Sequence, residues 1–143
     1  MTDFPVTIFH NPACGTSRNV VSMVEAAGYR PEVVEYLKAG WTADQLKAVF
    51  ADAALTPREA MREKGSPAAE LGLLDPGTPD AAILAAMVAH PVLVNRPIVR
   101  TPKGAALCRP SEKVFDLLDR APDRFVKEDG EAVVPAPGSA NAR

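Results

Sequence analysis

Cysteine is scarce in this sequence: Cys14 and Cys108 are the only two in 143 residues. They stand far apart in a chain large enough to fold without staples, so no structural disulfide is required and thiol chemistry becomes the sharper question. An excess of one charge is also missing. Sixteen Lys and Arg face eighteen Asp and Glu, a net charge of −2. This excludes any general attraction to nucleic acid or to an anionic membrane surface, and an anion site has to be local. No apolar stretch approaches the ~20 residues of a membrane-spanning helix. The start, MTDFPVTIFH, lacks the basic, apolar and small-residue sections of a secretory signal. A cytoplasmic protein with no membrane and no nucleic-acid partner is expected. No internal repeat is present, and 47% hydrophobic content over this length suffices for one core, hence one domain.

VTIFH (6–10) is β-branched and aromatic and runs into NPACG, after which Val20, Val24 and Ala27 recur at helical spacing. This is a strand, a tight loop and a helix. Gly28 is placed to stop the helix, and PEVVEYL (31–37) supplies a second strand, so a β-α-β unit with a parallel pair is expected. Three start signals follow. TADQ (42–45) and TPRE (56–59) fit the capping box, and TPDA (78–81) puts proline at a first helical position. A mostly helical insert over about 42–90 is expected, with Leu46, Val49 and Phe50 on one apolar stripe and Ile83, Leu84, Met87 and Val88 on another.

Beyond His90, short β runs return: VLV (92–94), PIVRT (97–101), a Lys103-Gly104 turn and AALCR (105–109), the last two runs forming an antiparallel hairpin. PSEKVFDLLDR begins with proline and a capping serine and places Val114, Leu117 and Leu118 on the face of a last helix. The order β-α-β, helical insert, β-β-α is that of an α/β, thioredoxin-like domain, a mixed sheet with helices on both faces. One domain over 1–128 is expected. Residues 129–143 lose periodicity and gain Pro, Gly, Ala and Ser, so they are expected to form a flexible tail.

A free cysteine, with a pKa near ~8.5, is mostly thiol at neutral pH, yet the thiolate is the nucleophile. Ahead of a helix, Cys14 faces unpaired N–H groups and about half a positive charge from the aligned peptide dipoles, which favours the anion. His10 ends the first strand four residues upstream, and two roles stay open: bonding to backbone, or tuning the cysteine's acidity. Asn11 and Ser17 can bond the sulfur or shape the loop, Thr16 or Ser17 can cap the helix, and Gly15 lets backbone approach an anion. A second cysteine at position 17 would have made a redox dithiol, but the loop reads Cys14-Gly15-Thr16-Ser17. Serine cannot resolve a disulfide, so the regenerating thiol comes from elsewhere: Cys108, a small thiol such as glutathione, or a protein.

Cys108 lies in the apolar run AALC next to Arg109, and strand alternation sends the two side chains to opposite faces. A core role for Cys108 is the simpler reading, with a resolving role as the alternative. Arg62 in MREKG, Arg96 in NRPIV and Arg109 in LCRPS carry guanidinium forks that match tetrahedral oxyanions, and three of them converging on one cysteine would form an oxyanion pocket. Spacing alone does not establish convergence. Arg18, Arg30, Arg58, Arg100, Arg120 and Arg124 read as solvated surface arginines, and the Arg96-Pro97 bond is a candidate cis peptide.

HNPACGTSR, LTPREAMREK and VNRPIVRTPKGAALCRPSE together resemble the glutaredoxin-dependent arsenate reductases of the ArsC family, over about residues 6–130. The resemblance implies a thioredoxin-like fold with a helical insert, reduction of arsenate to arsenite, and a part in arsenic resistance. Cys14 is then the nucleophile, Arg62, Arg96 and Arg109 bind the oxyanion, and His10 helps to lower the cysteine's pKa. It further implies glutathione as co-substrate, glutaredoxin as protein partner, a monomer, and no metal or bound redox cofactor, because thiols carry the electrons.

Two other readings share the architecture. An Spx-like regulator binds RNA polymerase and usually carries a CxxC switch, which Ser17 argues against. A glutathione-dependent thiol oxidoreductase without arsenate activity would keep Cys14 without needing three site arginines.

Overall fold

The computed structural model describes residues 4–135. The chain divides into two compact units, one made of the residues up to Glu35 together with those from Arg96 on, the other of Tyr36–Asn95. The second spans the expected 42–90 insert with wider bounds.

In the first unit, β1 (Thr7–His10) leads to α1 (Gly15–Ala26) and β2 (Glu32–Glu35), and β3 (Ile98–Thr101) pairs with β4 (Gly104–Leu107). The sheet order is β2-β1-β3-β4. β1 runs parallel to β2 with Ile8 beside Val33, and antiparallel to β3 with Ile8 beside Val99. This is the expected mixed sheet and hairpin. Val20, Met23, Val24 and Ala27 recur three and four residues apart, so one face of α1 is buried. They meet Ile8 and Val99 from the sheet and Val114, Phe115 and Leu118 from the segment after β4 in one core. α1 stops where Gly28, at φ 100°, turns left-handed. The Gly28 N–H donates to Glu25 O at 3.0 Å and the Tyr29 N–H to Val24 O at 3.2 Å, a Schellman closure.

The last helix differs from expectation. Ser111–Leu117 is 3₁₀, not α. Val114, Leu117 and Leu118 are buried as the pattern requires, but Ser111 does not cap: its Oγ donates to Thr16 O of α1 at 3.1 Å. The segment's closing carbonyls serve the β3–β4 hairpin instead. Leu117 O accepts from Thr101 Oγ at 2.7 Å and Leu118 O from Lys103 Nζ at 3.1 Å. Nor is 129–135 a loose tail. Ala132–Val133 forms β6, paired antiparallel with β5 (Phe125–Val126), and Val133 joins the core. The rest of the expected tail, 136–143, lies outside the described residues.

The second unit holds α2 (Tyr36–Ala39), α3 (Ala43–Ala53) and α4 (Asp80–Ala89). Thr42 caps α3, its side chain accepting from the Gln45 N–H at 3.0 Å. Leu46, Val49 and Phe50 are buried, as are Ile83, Leu84 and Met87, while Val88 of the expected stripe is 36% exposed and lies outside the core. Pro79 takes the N-cap of α4, one place earlier than expected.

The largest departure is at 54–79, which is not helical. The TPRE capping box forms completely: the Thr56 N–H donates to Glu59 Oε1 at 2.9 Å and the Glu59 N–H to Thr56 Oγ1 at 3.1 Å. Only one turn follows, because the next backbone groups pair with 93–95. The Arg62 N–H donates to Leu93 O at 2.7 Å and the Asn95 N–H to Ala60 O at 2.8 Å, on either side of a Met61–Val94 bridge. VLV (92–94) is therefore no strand: Pro91–Leu93 is a 3₁₀ turn and Val94 makes that single bridge. Arg58, expected at the surface, is half-buried. It binds the Leu73, Asp75 and Thr78 carbonyls at 3.1, 3.0 and 2.7 Å, so one guanidinium gathers three carbonyls of the non-helical stretch.

Candidate active site

β1 delivers His10 and Asn11 to the carboxyl end of the sheet, where the chain turns sharply into α1. Asn11 builds the turn from both of its acceptors, taking the Cys14 N–H on its carbonyl at 3.0 Å and the Ala13 N–H on Oδ1 at 2.9 Å. Cys14 occupies the N-cap of α1 in extended conformation (φ −100°, ψ 121°), and its carbonyl opens the helix by accepting the Arg18 N–H at 2.9 Å. Its sulfur therefore looks along the unpaired N–H groups of the first turn.

The arginines of the first unit answer the question of convergence. Just past the end of β4, Cys108 is buried in the core while Arg109 reaches the Cys14 loop. Arg109 Nη1 lies 3.7 Å from Cys14 Sγ and donates to Arg96 O at 3.1 Å. Arg96, half-buried ahead of a cis Pro97, acts on the sulfur through its charge. Arg109-Pro110 is also cis.

Burial alone would push the Cys14 thiol up. The Ser17 N–H, the Arg96 charge, the Arg109 hydrogen bond and the Thr16 N–H together outweigh burial, and its pKa falls below the ordinary thiol value. Cys108 shows the opposite balance: fully buried, with no comparable donors, its thiol is pushed up to about 12. Its place among the core side chains and its raised pKa fit the core reading of Cys108.

Among the described residues, the His10 ring bonds to a side chain rather than to backbone or sulfur. Its Nδ1 lies 2.6 Å from Ser17 Oγ, which also accepts the Asn11 N–H at 3.1 Å. The Ser17 hydroxyl thus bonds the imidazole and accepts from the loop, and its backbone N–H supports Cys14. Burial, more than the opposing pull of Glu35, lowers the His10 pKa, with Arg18 adding to the decrease. The imidazole, whose charged form burial disfavours, orders Ser17 through this bond. Gly15 is the first residue of α1. A Cβ there would meet Arg18 Nη2 at 3.7 Å and Glu128 Oε1 at 3.8 Å.

Arg62 belongs to the Tyr36–Asn95 unit. Its Nε donates to Lys64 O at 2.8 Å, and its guanidinium lies over Gly65, where a Cβ would come within 2.6 Å of Nη2. Gly65 holds φ 73°, which favours glycine, and the Arg62 guanidinium is the end of a flexible side chain bonded within its own unit.

Two arginines expected at the surface do more. Arg18 Nη1 donates to Pro12 O at 2.8 Å while Nε and Nη2 grip Glu128 at 2.9 and 3.0 Å. Arg120 stacks over the Tyr29 ring at 4.6 Å and donates to Gly28 O at 3.2 Å. No local motif signals either role, because both depend on partners distant in sequence. Among the described residues, no helix is long and apolar enough to cross a membrane.

Comparison with known proteins gives one answer. The sequence model of the ArsC family matches residues 9–117. The chain is 59% identical to arsenate reductase ArsI1 of Synechocystis sp. over 97% of each protein. It is 45% identical to an arsenate reductase of Escherichia coli K12, covering 93% of this chain and 95% of that one. Among solved structures, the arsenate reductase from Vibrio cholerae superposes with a TM-score of 0.78 at 36% identity, over 82% of this chain and 100% of that one.

Proposed function

The chain belongs to the ArsC family, and from that premise we propose that it reduces arsenate to arsenite, with Cys14 as nucleophile and external thiols as reductant. The observation that carries this reading is the Cys14 sulfur at the first turn of α1, with Arg109 Nη1 3.7 Å away and its acidity raised by Arg96.

The Cys14 thiolate attacks arsenic, an S–As bond forms, and one arsenate oxygen leaves as water. Glutathione replaces a second oxygen, again releasing water. A glutaredoxin thiolate then attacks the glutathione sulfur. An S–S bond forms, and the electron pair of the broken S–As bond passes to arsenic, taking it from As(V) to As(III). Hydrolysis of the remaining S–As bond releases arsenite and returns Cys14 as a thiol. Throughout, Arg96 and Arg109 hold the negative oxygens with charge-assisted hydrogen bonds that cannot be lost by deprotonation. Arg62 takes the same part on the strength of its motif, and Arg62→Ala tests it separately. Asn11, Gly15, Thr16 and Ser17 hold the loop and its N–H groups, and His10 orders Ser17. The chain needs no metal or bound cofactor for this route. It acts as a monomer in the cytoplasm, which sedimentation at working concentration checks.

The test is arsenite formation from arsenate by purified protein with glutathione and glutaredoxin, alongside Cys14→Ser. The variant is expected to be inactive, and equal rates would sink the nucleophile assignment. Omitting glutaredoxin should stop turnover after the glutathione step.

A further inference from the structure

The segment expected to be a tail is tied to the nucleophile loop. Glu128, which follows β5, receives Nε and Nη2 of Arg18 at 2.9 and 3.0 Å, and the third nitrogen of the same guanidinium donates to Pro12 O at 2.8 Å. The Glu128 N–H donates to Asn19 Oδ1 at 3.0 Å, a second tie to α1. The pair flanks Gly15, the residue after Cys14. The hairpin has its own anchor: Lys127 Nζ bridges Glu112 at 2.8 Å and Glu131 at 3.1 Å. That fastens it to the 3₁₀ segment directly after Arg109.

We propose that Arg18 is a positioning residue for Cys14, held in that role by Glu128. The bidentate grip fixes the guanidinium across the Pro12 carbonyl, and this sets the Asn11–Cys14 loop and the direction in which the sulfur points. Both side chains of the pair are nearly half exposed, 43% and 47%, so the pair adds little to global stability and its effect falls on geometry. The charged groups acting on the sulfur are Arg96 and Arg109, and Arg18 with its charge offset by Glu128. His10 reaches it only through Ser17.

The inference rests on Cys14 as nucleophile, and two measurements on the full chain separate it from the arsenate reading. One is site-resolved alkylation of Cys14 by iodoacetamide across pH, where the midpoint reports charge and the high-pH plateau reports geometry. The other is arsenate kinetics with glutathione and glutaredoxin. Arg18→Lys keeps the charge and loses the fork, so its midpoint should stay near that of the wild type while kcat falls about fivefold at unchanged KM. Arg18→Ala should show the same kcat loss with a midpoint moved up. Glu128→Gln leaves the Arg18 charge without its offset, so the midpoint should move down while kcat still falls.

A purely structural contact would lower all three together with Tm and would not move the midpoints in opposite directions. Unchanged kcat in both Arg18→Lys and Glu128→Gln overturns the proposal, as does a kcat loss that follows Tm. A wild type inactive on arsenate overturns the arsenate reading alone. The positioning role is then judged by the alkylation plateau, and equal plateaus for wild type and Arg18→Lys overturn it.

Discussion

Removing the hydroxyl of Ser17 tests the interior of the nucleophile loop. Ser17, His10 and Asn11 are all buried, and Ser17 Oγ is the shared partner of His10 Nδ1 at 2.6 Å and of the Asn11 N–H at 3.1 Å. Ser17→Ala leaves the Asn11 N–H and His10 Nδ1 without their shared partner in a buried site. Each such group costs about 1–3 kcal/mol. With partial relaxation, the loss should be about 2–4 kcal/mol, and for a chain of this length Tm should fall by about 6–12 °C. The acidity of Cys14 should barely change, because Ser17 supports the sulfur through its backbone N–H, which alanine keeps. Thermal melts followed by circular dichroism measure the first effect, and the pH dependence of Cys14 alkylation the second. A Tm drop under about 2 °C would refute the shared hydrogen bonds. A midpoint shift as large as that of Arg109→Ala would refute the division of labour between hydroxyl and N–H.

Arg109→Ala removes the donor at 3.7 Å from the sulfur. The Cys14 alkylation midpoint should rise, and KM for arsenate should increase about tenfold or more through the lost charge-assisted bonds; an unchanged midpoint would argue against the contact. His10 gives a pH signature. Burial holds its folded pKa below 6.5, so as pH falls through that value the unfolded chain takes up a proton before the folded one does, and stability is lost on acidification. The Tm of the wild type should therefore drop relative to His10→Gln between about pH 7 and about pH 5.5, and parallel curves would count against a buried neutral imidazole. Ala54 ends α3 in the left-handed region at φ 56°. Ala54→Gly should stabilise by about 0.5 kcal/mol, the relieved strain exceeding the added freedom of the unfolded chain, and urea melts would reveal a loss instead if the cap were unstrained.

Much of the fold was legible because its signals are local. The apolar positions of α1 repeat every three to four residues, Gly28 follows where the helix must stop, and VTIFH and PIVRT are rich in the β-branched residues of strands. Cys14 at a helix amino end follows from that arrangement, and Ser17 in place of a second cysteine is legible letter by letter. The misreadings share a cause. TPRE carries a complete capping box, yet the helix it announces never forms, because Ala60 and Arg62 find backbone partners at Asn95 and Leu93. Ser111 looks like a cap and instead serves a carbonyl of α1. Residues 129–133, read as the start of a tail, lack periodicity because a two-residue strand such as β6 is too short to display one.

The sequence, then, was enough for Cys14 at the amino end of a helix, for the parallel β1–β2 pair and for a loop with a single cysteine, since each depends on neighbours within a few residues. Only the tertiary structure decided which arginines meet the sulfur. Arg109 and Cys14 are 95 positions apart, as Arg18 and Glu128 are 110 apart. A guanidinium carries no local preference for a distant partner; the end of β4 and the anchoring of the β5–β6 hairpin bring each charge to its place.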